Sequence, residues 1–193
     1  EMTRNAEVER NTRETRVRLA LALDGTGQSD IKTGIPFFDH MLVSFAVHGF
    51  FDLTVEAAGD IEVDFHHTVE DVGIVLGSAI RQALGDRKGI RRYGHAATPM
   101  DDALVKVTID LSNRPYLAYN LPAAFTPDFA GLAKEFFRSV AVNAGMNLHV
   151  NVDYGENDHH VTEAIFKSFG RALDQAIVPD PRIAQAHSAK GQI

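Results

Sequence analysis

Val17, Leu19, Leu21 and Leu23 alternate with Arg16, Arg18, Ala20 and Ala22, the period of two that a half-buried strand shows. The pattern breaks at Asp24-Gly25-Thr26-Gly27, which predicts a turn, and Ile31-Lys32-Thr33 predicts a short return strand. Pro36 is placed for the first turn of a helix running to about His48. A strand from about Phe51 to Ala57 leads into a longer helix that stops near Gly85. The order then repeats. Leu104 to Leu111 alternates like a strand, with Arg114 to Leu121 pairing behind it. Pro127-Asp128 opens a helix ending near Asn143, Asn147 to Val152 is a strand, and a last long helix closes at Val178-Pro179-Asp180-Pro181. Strands around Arg4 to Glu9 and Arg92 to Thr98 head the two halves. Each half reads β-β-β-α-β-α, so the chain is expected to be α+β, internally duplicated, with sheets packed against helices. The expected units are residues 1–89, residues 90–181 and an aperiodic tail, 182–193, either disordered or folded over a site.

The duplication carries chemistry. His66-His67-Thr68-Val69-Glu70 returns as His159-His160-Val161-Thr162-Glu163, each opening a predicted long helix. Downstream, Gly77-Ser78-Ala79 is matched by Gly170-Arg171-Ala172; upstream, the segment from His40 lies over the segment from Glu135. Residues three or four apart share a helix face, so Glu70 faces both His66 and His67, and Glu163 faces both His159 and His160. Adjacent histidines diverge by about 100° on a helix, so one element feeds two metals. With His40 and Glu135, eight ligands result: His40, His66, His67, Glu70, Glu135, His159, His160 and Glu163. Imidazole mixed with carboxylate suits Mn(II), Fe(II), Zn(II) or Ni(II) better than Ca(II), and octahedral, redox-quiet Mn(II) is preferred. His48, His95, His149 and His187 stand outside this frame and read as structural or surface residues. Asp39 and Asp71 adjoin the ligands, placed either to orient an imidazole or to sit on the helix surface.

Glu14 precedes the first long strand and lies over Asp102 before its counterpart, where a carboxylate serves as general acid or base. Arg92, Arg114, Lys167 and Lys190 fall near these elements, and Lys167 is one helical turn beyond Glu163. Separated cations around a metal centre suggest an anionic group such as phosphate.

Composition narrows the class. Net charge is −7, which opposes sequence-independent nucleic-acid binding. No apolar run approaches the roughly 20 residues that span a bilayer, and cysteine is absent, removing disulfides and thiolate ligands. A cytoplasmic enzyme acting on a small molecule is expected.

The segments Arg4-Asn5-Ala6, Arg13-Glu14-Thr15, Thr33 to Leu42, Asp64 to Asp71, Asn157 to Ala164, Phe166-Lys167 and Ser188-Ala189-Lys190-Gly191 closely resemble imidazoleglycerol-phosphate dehydratase, a lyase of histidine biosynthesis. The resemblance implies a duplicated ribosomal-protein-S5-domain-2-like fold, two Mn(II) ions per active site, and a homo-24-mer built from trimers with sites at subunit interfaces. It implies the same eight metal ligands. It also implies substrate contacts from Glu14, Arg92, Arg114, Lys167, Ser188 and Lys190. Ala189 stands where the family often has Thr.

That reaction gives two metals a purpose. The proton that leaves lies on a carbon with no carbonyl to acidify it. A ring bound through both nitrogens becomes an imidazolate, whose electrons expel the neighbouring hydroxyl to give a diazafulvene-like intermediate. A base then removes the adjacent proton, and the enol tautomerises to imidazole acetol phosphate. Glu14 is expected to handle one proton transfer, with Glu163 or a metal-bound water assisting the other. The rival readings are a two-metal phosphohydrolase, a di-iron oxidase, and a catalytically idle assembly protein glued by metal. The oxidase is opposed by the His-x-x-Glu order and the intervening strands.

Overall fold

The computed structural model describes residues 4–193. The first half contains β1 (Asn5–Asn11), β2 (Thr15–Ala22), β3 (Ser29–Lys32), α1 (Pro36–Gly49), β4 (Asp52–Gly59) and α2 (His66–Leu84). The second repeats the order with β5 (Tyr93–Met100), β6 (Ala103–Asp110), β7 (Tyr116–Asn120), α3 (Phe129–Ala144), β8 (Asn147–Tyr154) and α4 (Asp158–Ile177). Two four-stranded sheets result, ordered β1-β2-β4-β3 and β5-β6-β8-β7.

Two strand pairings differ from those expected. β3 does not return along β2 but runs parallel to β4, Ser29 opposite Leu53. Likewise β7 does not lie behind β6 but runs parallel to β8, Tyr116 opposite Asn147. The reason is the helix between each pair. Parallel neighbours need a long crossover, and α1 and α3 supply it. β2 instead pairs antiparallel with β4, Thr15 opposite Gly59 through Ala22 opposite Asp52.

Val17, Leu19 and Leu21 are buried on one face of β2, as Val105, Val107 and Ile109 are on β6. α2 covers the first sheet and α4 the second, but each long helix also packs on the other half's short helix, α2 on α3 and α4 on α1. Phenylalanines link α1, α3 and α4. Phe38 of α1 meets Phe136 of α3 at 5.4 Å between centroids, Phe136 stacks on Phe166 of α4 at 5.3 Å, and Phe45 stacks on Phe169 at 5.1 Å. Each fully buried side chain of this kind contributes roughly 1.5–3 kcal/mol. Exposed ion pairs such as Arg18–Glu7 are screened by solvent and hold strands within one half, so burial along the aromatic seam contributes more to joining the halves.

The matched glycines have a packing cause. A Cβ at Gly77 would strike the Val140 carbonyl of α3, and one at Gly170 the Phe45 carbonyl of α1. Val140 and Phe45 are themselves duplicate positions, so each glycine permits the same close crossing in its half. Gly170→Ala and Gly77→Ala should each lower the free energy of unfolding by about 1–3 kcal/mol through overpacking. Urea denaturation of the two variants checks this; unchanged midpoints would mean that the helices separate at no cost.

Candidate metal centre

The start of α4 is set by Asn157, whose side chain accepts from the His160 N–H, and by Asp158 in the first turn. Asp158 also accepts from the backbone N–H groups of Asp128, Phe129 and Ala130, docking the start of α3 on the start of α4. One helical turn then aligns His159 with Glu163, whose Oε2 lies 3.1 Å from His159 Nε2. The α1–α4 crossing brings His40 Nε2 to 3.3 Å from the same oxygen. Lys167, a further turn along, places Nζ 2.6 Å from Glu163 Oε1. Burial pushes the Glu163 carboxyl up, but Lys167, His40 and His159 together outweigh it and hold the group below its ordinary value.

Ligand atoms of His40, His159 and Glu163 all lie within 4.8 Å of one another. Donors about 2.0–2.2 Å from a divalent ion are themselves about 3–4.4 Å apart, so these three fit one ion with small adjustments. The set is imidazole plus carboxylate, the donor chemistry of a first-row divalent metal.

The matching helix α2 begins with Asp64 accepting from the His66 N–H at 2.8 Å. His66 Nε2 is 3.8 Å from Glu70 Oε2. Rings of His66 and His67 stand 6.1 Å apart at 89°, and those of His159 and His160 6.0 Å apart at 78°, the divergence expected of adjacent helical residues. Glu135 does not join a three-residue cluster among the described residues; it pairs with Arg138 of its own helix at 3.0 Å. By the duplication, the counterpart of the His40–Glu163 contact is Glu135 with Glu70. Two carboxylates repel where an imidazole and a carboxylate attract.

Other carboxylates sort by what they touch. Glu14 Oε2 lies 3.8 Å from His67 Nδ1, and Asp60 Oδ2 takes that nitrogen at 2.9 Å. Hydrogen bonding to Asp60, supported by its charge, raises the His67 pKa. Asp102 Oδ1 meets His160 Nδ1 at 2.5 Å. The Glu156 N–H, His160 and the Asn157 N–H hold the Asp102 carboxyl far below the usual range. Asp39 and Asp71 orient no imidazole. Asp39 accepts from the Thr33 N–H and hydroxyl, and Asp71 is buried, accepting from the Thr15 hydroxyl and Arg10. Asp39 ties the start of α1 to the residue just after β3, and Asp71 ties α2 to β1 and β2, which is why they are neither ring partners nor free surface groups.

The predicted cations do not gather in one place. Lys167 contacts a candidate ligand. Arg92 is buried, with Nε 2.6 Å and Nη2 3.0 Å from the Asp110 carboxylate and Nη1 donating to the His187 carbonyl at 2.8 Å. Arg114 and Lys190 are exposed, and Ser188 Oγ accepts from the Lys190 N–H. The tail is thus pinned by Arg92 and by a bond from the Gly89 N–H to the Gln185 carbonyl, over a cavity of about 440 Å³ whose lining includes Arg81, Arg87, Lys88 and Asn113. No candidate metal ligand lines that cavity. A second cleft of about 450 Å³ does adjoin His159, walled by Phe37, Phe65, Phe129 and Leu132.

His48 is a residue that the motif reading passed over. Desolvation, then the charges of Lys167 and Arg171, lower its pKa, so it stands in the electrostatic reach of the Glu163 cluster. The signal was available: His40, Ser44 and His48 recur every four residues along one face of α1. His95 and His149 pair with Thr108 and Asn147 respectively.

Known proteins match the whole chain. A relative from Desulfosudis oleivorans named imidazoleglycerol-phosphate dehydratase is 63% identical, covering 100% of both chains. One of the same name from Trichlorobacter lovleyi is 61% identical, covering 98% of this chain and 99% of its own. The crystal structure of imidazoleglycerol-phosphate dehydratase from Staphylococcus aureus superposes with a TM-score of 0.80 at 36% identity, over 91% of this chain and 99% of that one. The structure of the Pyrococcus furiosus protein gives 0.83 at 35% identity, over 96% and 100%. The family model described as imidazoleglycerol-phosphate dehydratase matches residues 33–173, and the chain belongs to that family.

Proposed function

We propose that the protein is a hydro-lyase that dehydrates D-erythro-imidazoleglycerol phosphate to imidazole acetol phosphate in L-histidine biosynthesis. The observation that carries this reading is the meeting of His40, His159 and Glu163 across the α1–α4 crossing, in a chain whose relatives bear the name of that enzyme. His40, His66, His67, Glu70, Glu135, His159, His160 and Glu163 are assigned as the ligands of two Mn(II) ions. Held by these residues, the metals would supply Lewis acidity to the imidazole ring of the substrate, favouring its imidazolate form.

The chain's own groups do the rest. Glu14, whose side chain is 55% exposed and makes no hydrogen bond among the described residues, takes the proton from the carbon beside the departing hydroxyl. Glu163, kept ionised by its neighbours, acts as a ligand and an acceptor. Lys167 lies beside it, where an ammonium attracts the substrate phosphate, and Arg92, Arg114, Ser188 and Lys190 are assigned to the same phosphate from a neighbouring subunit. Exposed Phe50, Val63, Phe65 and Tyr154 are side chains that self-association would cover, and a homo-24-mer of trimers is the assembly proposed on the family resemblance. No helix among the described residues is long and apolar enough to cross a membrane, and the enzyme is assigned to the cytoplasm.

Incubation with imidazoleglycerol phosphate and Mn(II) should yield the ketone and no inorganic phosphate. Phosphate release without ketone would favour the phosphohydrolase reading. A pH dependence also follows. Metal binding needs neutral imidazole, and Asp60 favours the protonated form of His67. Mn(II) affinity should therefore fall as pH drops through a value above the usual 6.5 or so. Titrations of Mn(II) between pH 6 and 8 check this; a flat profile would oppose His67 as a ligand.

A further inference from the structure

The duplication sets a carboxylate at one point of each half, and the two have taken different positions. Glu14 precedes β2 and Asp102 precedes β6, each facing Nδ1 of the second histidine in its half's motif. Asp102 is bonded to that nitrogen at 2.5 Å, whereas Glu14 stands off at 3.8 Å, beyond hydrogen-bond range. In the first half the close contact is made by Asp60 at 2.9 Å, a residue just after β4 that the duplicated motif does not include.

We propose that Asp102 and Asp60 are positioning residues that hold His160 and His67 by Nδ1, turning Nε2 toward the metal, and that Asp60 thereby frees Glu14 for proton transfer. A ring that donates Nδ1–H to a carboxylate keeps its lone pair on Nε2, in a fixed orientation and with raised basicity. Asp102 has little capacity left for other work. Its Oδ2 accepts from the backbone N–H groups of Glu156 at 2.7 Å and Asn157 at 3.1 Å, so one side chain sets both the turn before α4 and the ring behind it. Asp60 is more narrowly committed. Among the described residues His67 is its only side-chain partner, and its other oxygen, Oδ1, is buried without one. Asp101 is excluded from this role because its carboxylate faces His160 Nε2, at 3.4 Å, on the ligand side of the ring.

The inference rests on the metal reading above, and the test separates the two. Mn(II) is titrated into metal-stripped wild-type, Asp102→Asn, Asp60→Asn and Glu14→Gln proteins, with free ion followed by electron paramagnetic resonance, and kcat is measured at saturating metal. Asp102→Asn and Asp60→Asn should each weaken Mn(II) binding about 10–100-fold, with a much smaller loss of kcat once metal saturates. Glu14→Gln should bind Mn(II) as wild type does. Unchanged binding in both aspartate variants, with kcat lost at saturating metal, would make these carboxylates proton-transfer groups and overturn the proposal. Wild-type protein that binds no Mn(II) would remove the metal centre itself. Because Asp102 also holds a turn, Asp60→Asn isolates the ring contact and decides the matter if Asp102→Asn does not fold.

Discussion

A Glu163→Gln protein should lose turnover by at least about 10²-fold, together with most of its Mn(II) at micromolar concentrations. Glu163 is the point where α1 and α4 converge: one oxygen faces His40 and His159, and the other holds Lys167. Its side chain is only 8% exposed. Removing one partner of a buried charge pair costs about 3–5 kcal/mol, most of it from the charge left behind. Here that residual charge is the Lys167 ammonium, which would repel a metal ion beside it. Glutamine keeps the size of the side chain and an acceptor for Lys167, so the fold should persist by circular dichroism. Full metal occupancy in this variant would contradict the assignment of Glu163 as a ligand.

Glu14→Gln should behave differently, with kcat down about 10²–10⁴-fold while KM and metal content stay near wild type. Among the described residues the Glu14 side chain makes no hydrogen bond and is 55% exposed, and its backbone N–H donation to the Thr12 hydroxyl is untouched by the change, so the fold should persist. The contrast between these two variants separates holding the metal from moving the proton. Full turnover by Glu14→Gln protein would remove Glu14 from the mechanism.

Most of the fold was legible because each half repeats simple periods. Val17 to Leu23 and Leu104 to Leu111 carry a clean alternation, and α2 and α4 are announced by paired histidines and ended near Gly85 and Pro179. Strand pairing was not legible. Ile31 and Lys32 look alike whether they neighbour β2 or β4; the choice is made by the length of α1, a property of the connection and not of the strand. The matching glycines were visible as a repeat, but their cause, contact with the Phe45 and Val140 carbonyls, involves residues more than sixty positions distant.

The site divides in the same way. Ligand spacing within one helix turn, as in His159 and Glu163, follows from helical geometry and was readable. Partners across loops were not. Asp60 has no motif to mark it, and it reaches His67 only because the turn after β4 folds back on the start of α2. Asp39 and Asp71 adjoin ligands in sequence yet spend their oxygens on Thr33, Thr15 and Arg10. Arg92 was expected at the phosphate, and within one chain its guanidinium is matched by Asp110, eighteen residues away on the next strand.

The most direct test of the account is turnover of imidazoleglycerol phosphate by metal-stripped protein before and after Mn(II) is restored, following the ketone product. The account predicts no ketone from the stripped protein and its appearance when Mn(II) is added. Ketone formed equally well without metal would contradict the two-metal centre, and none from fully reloaded protein would contradict the dehydratase reading.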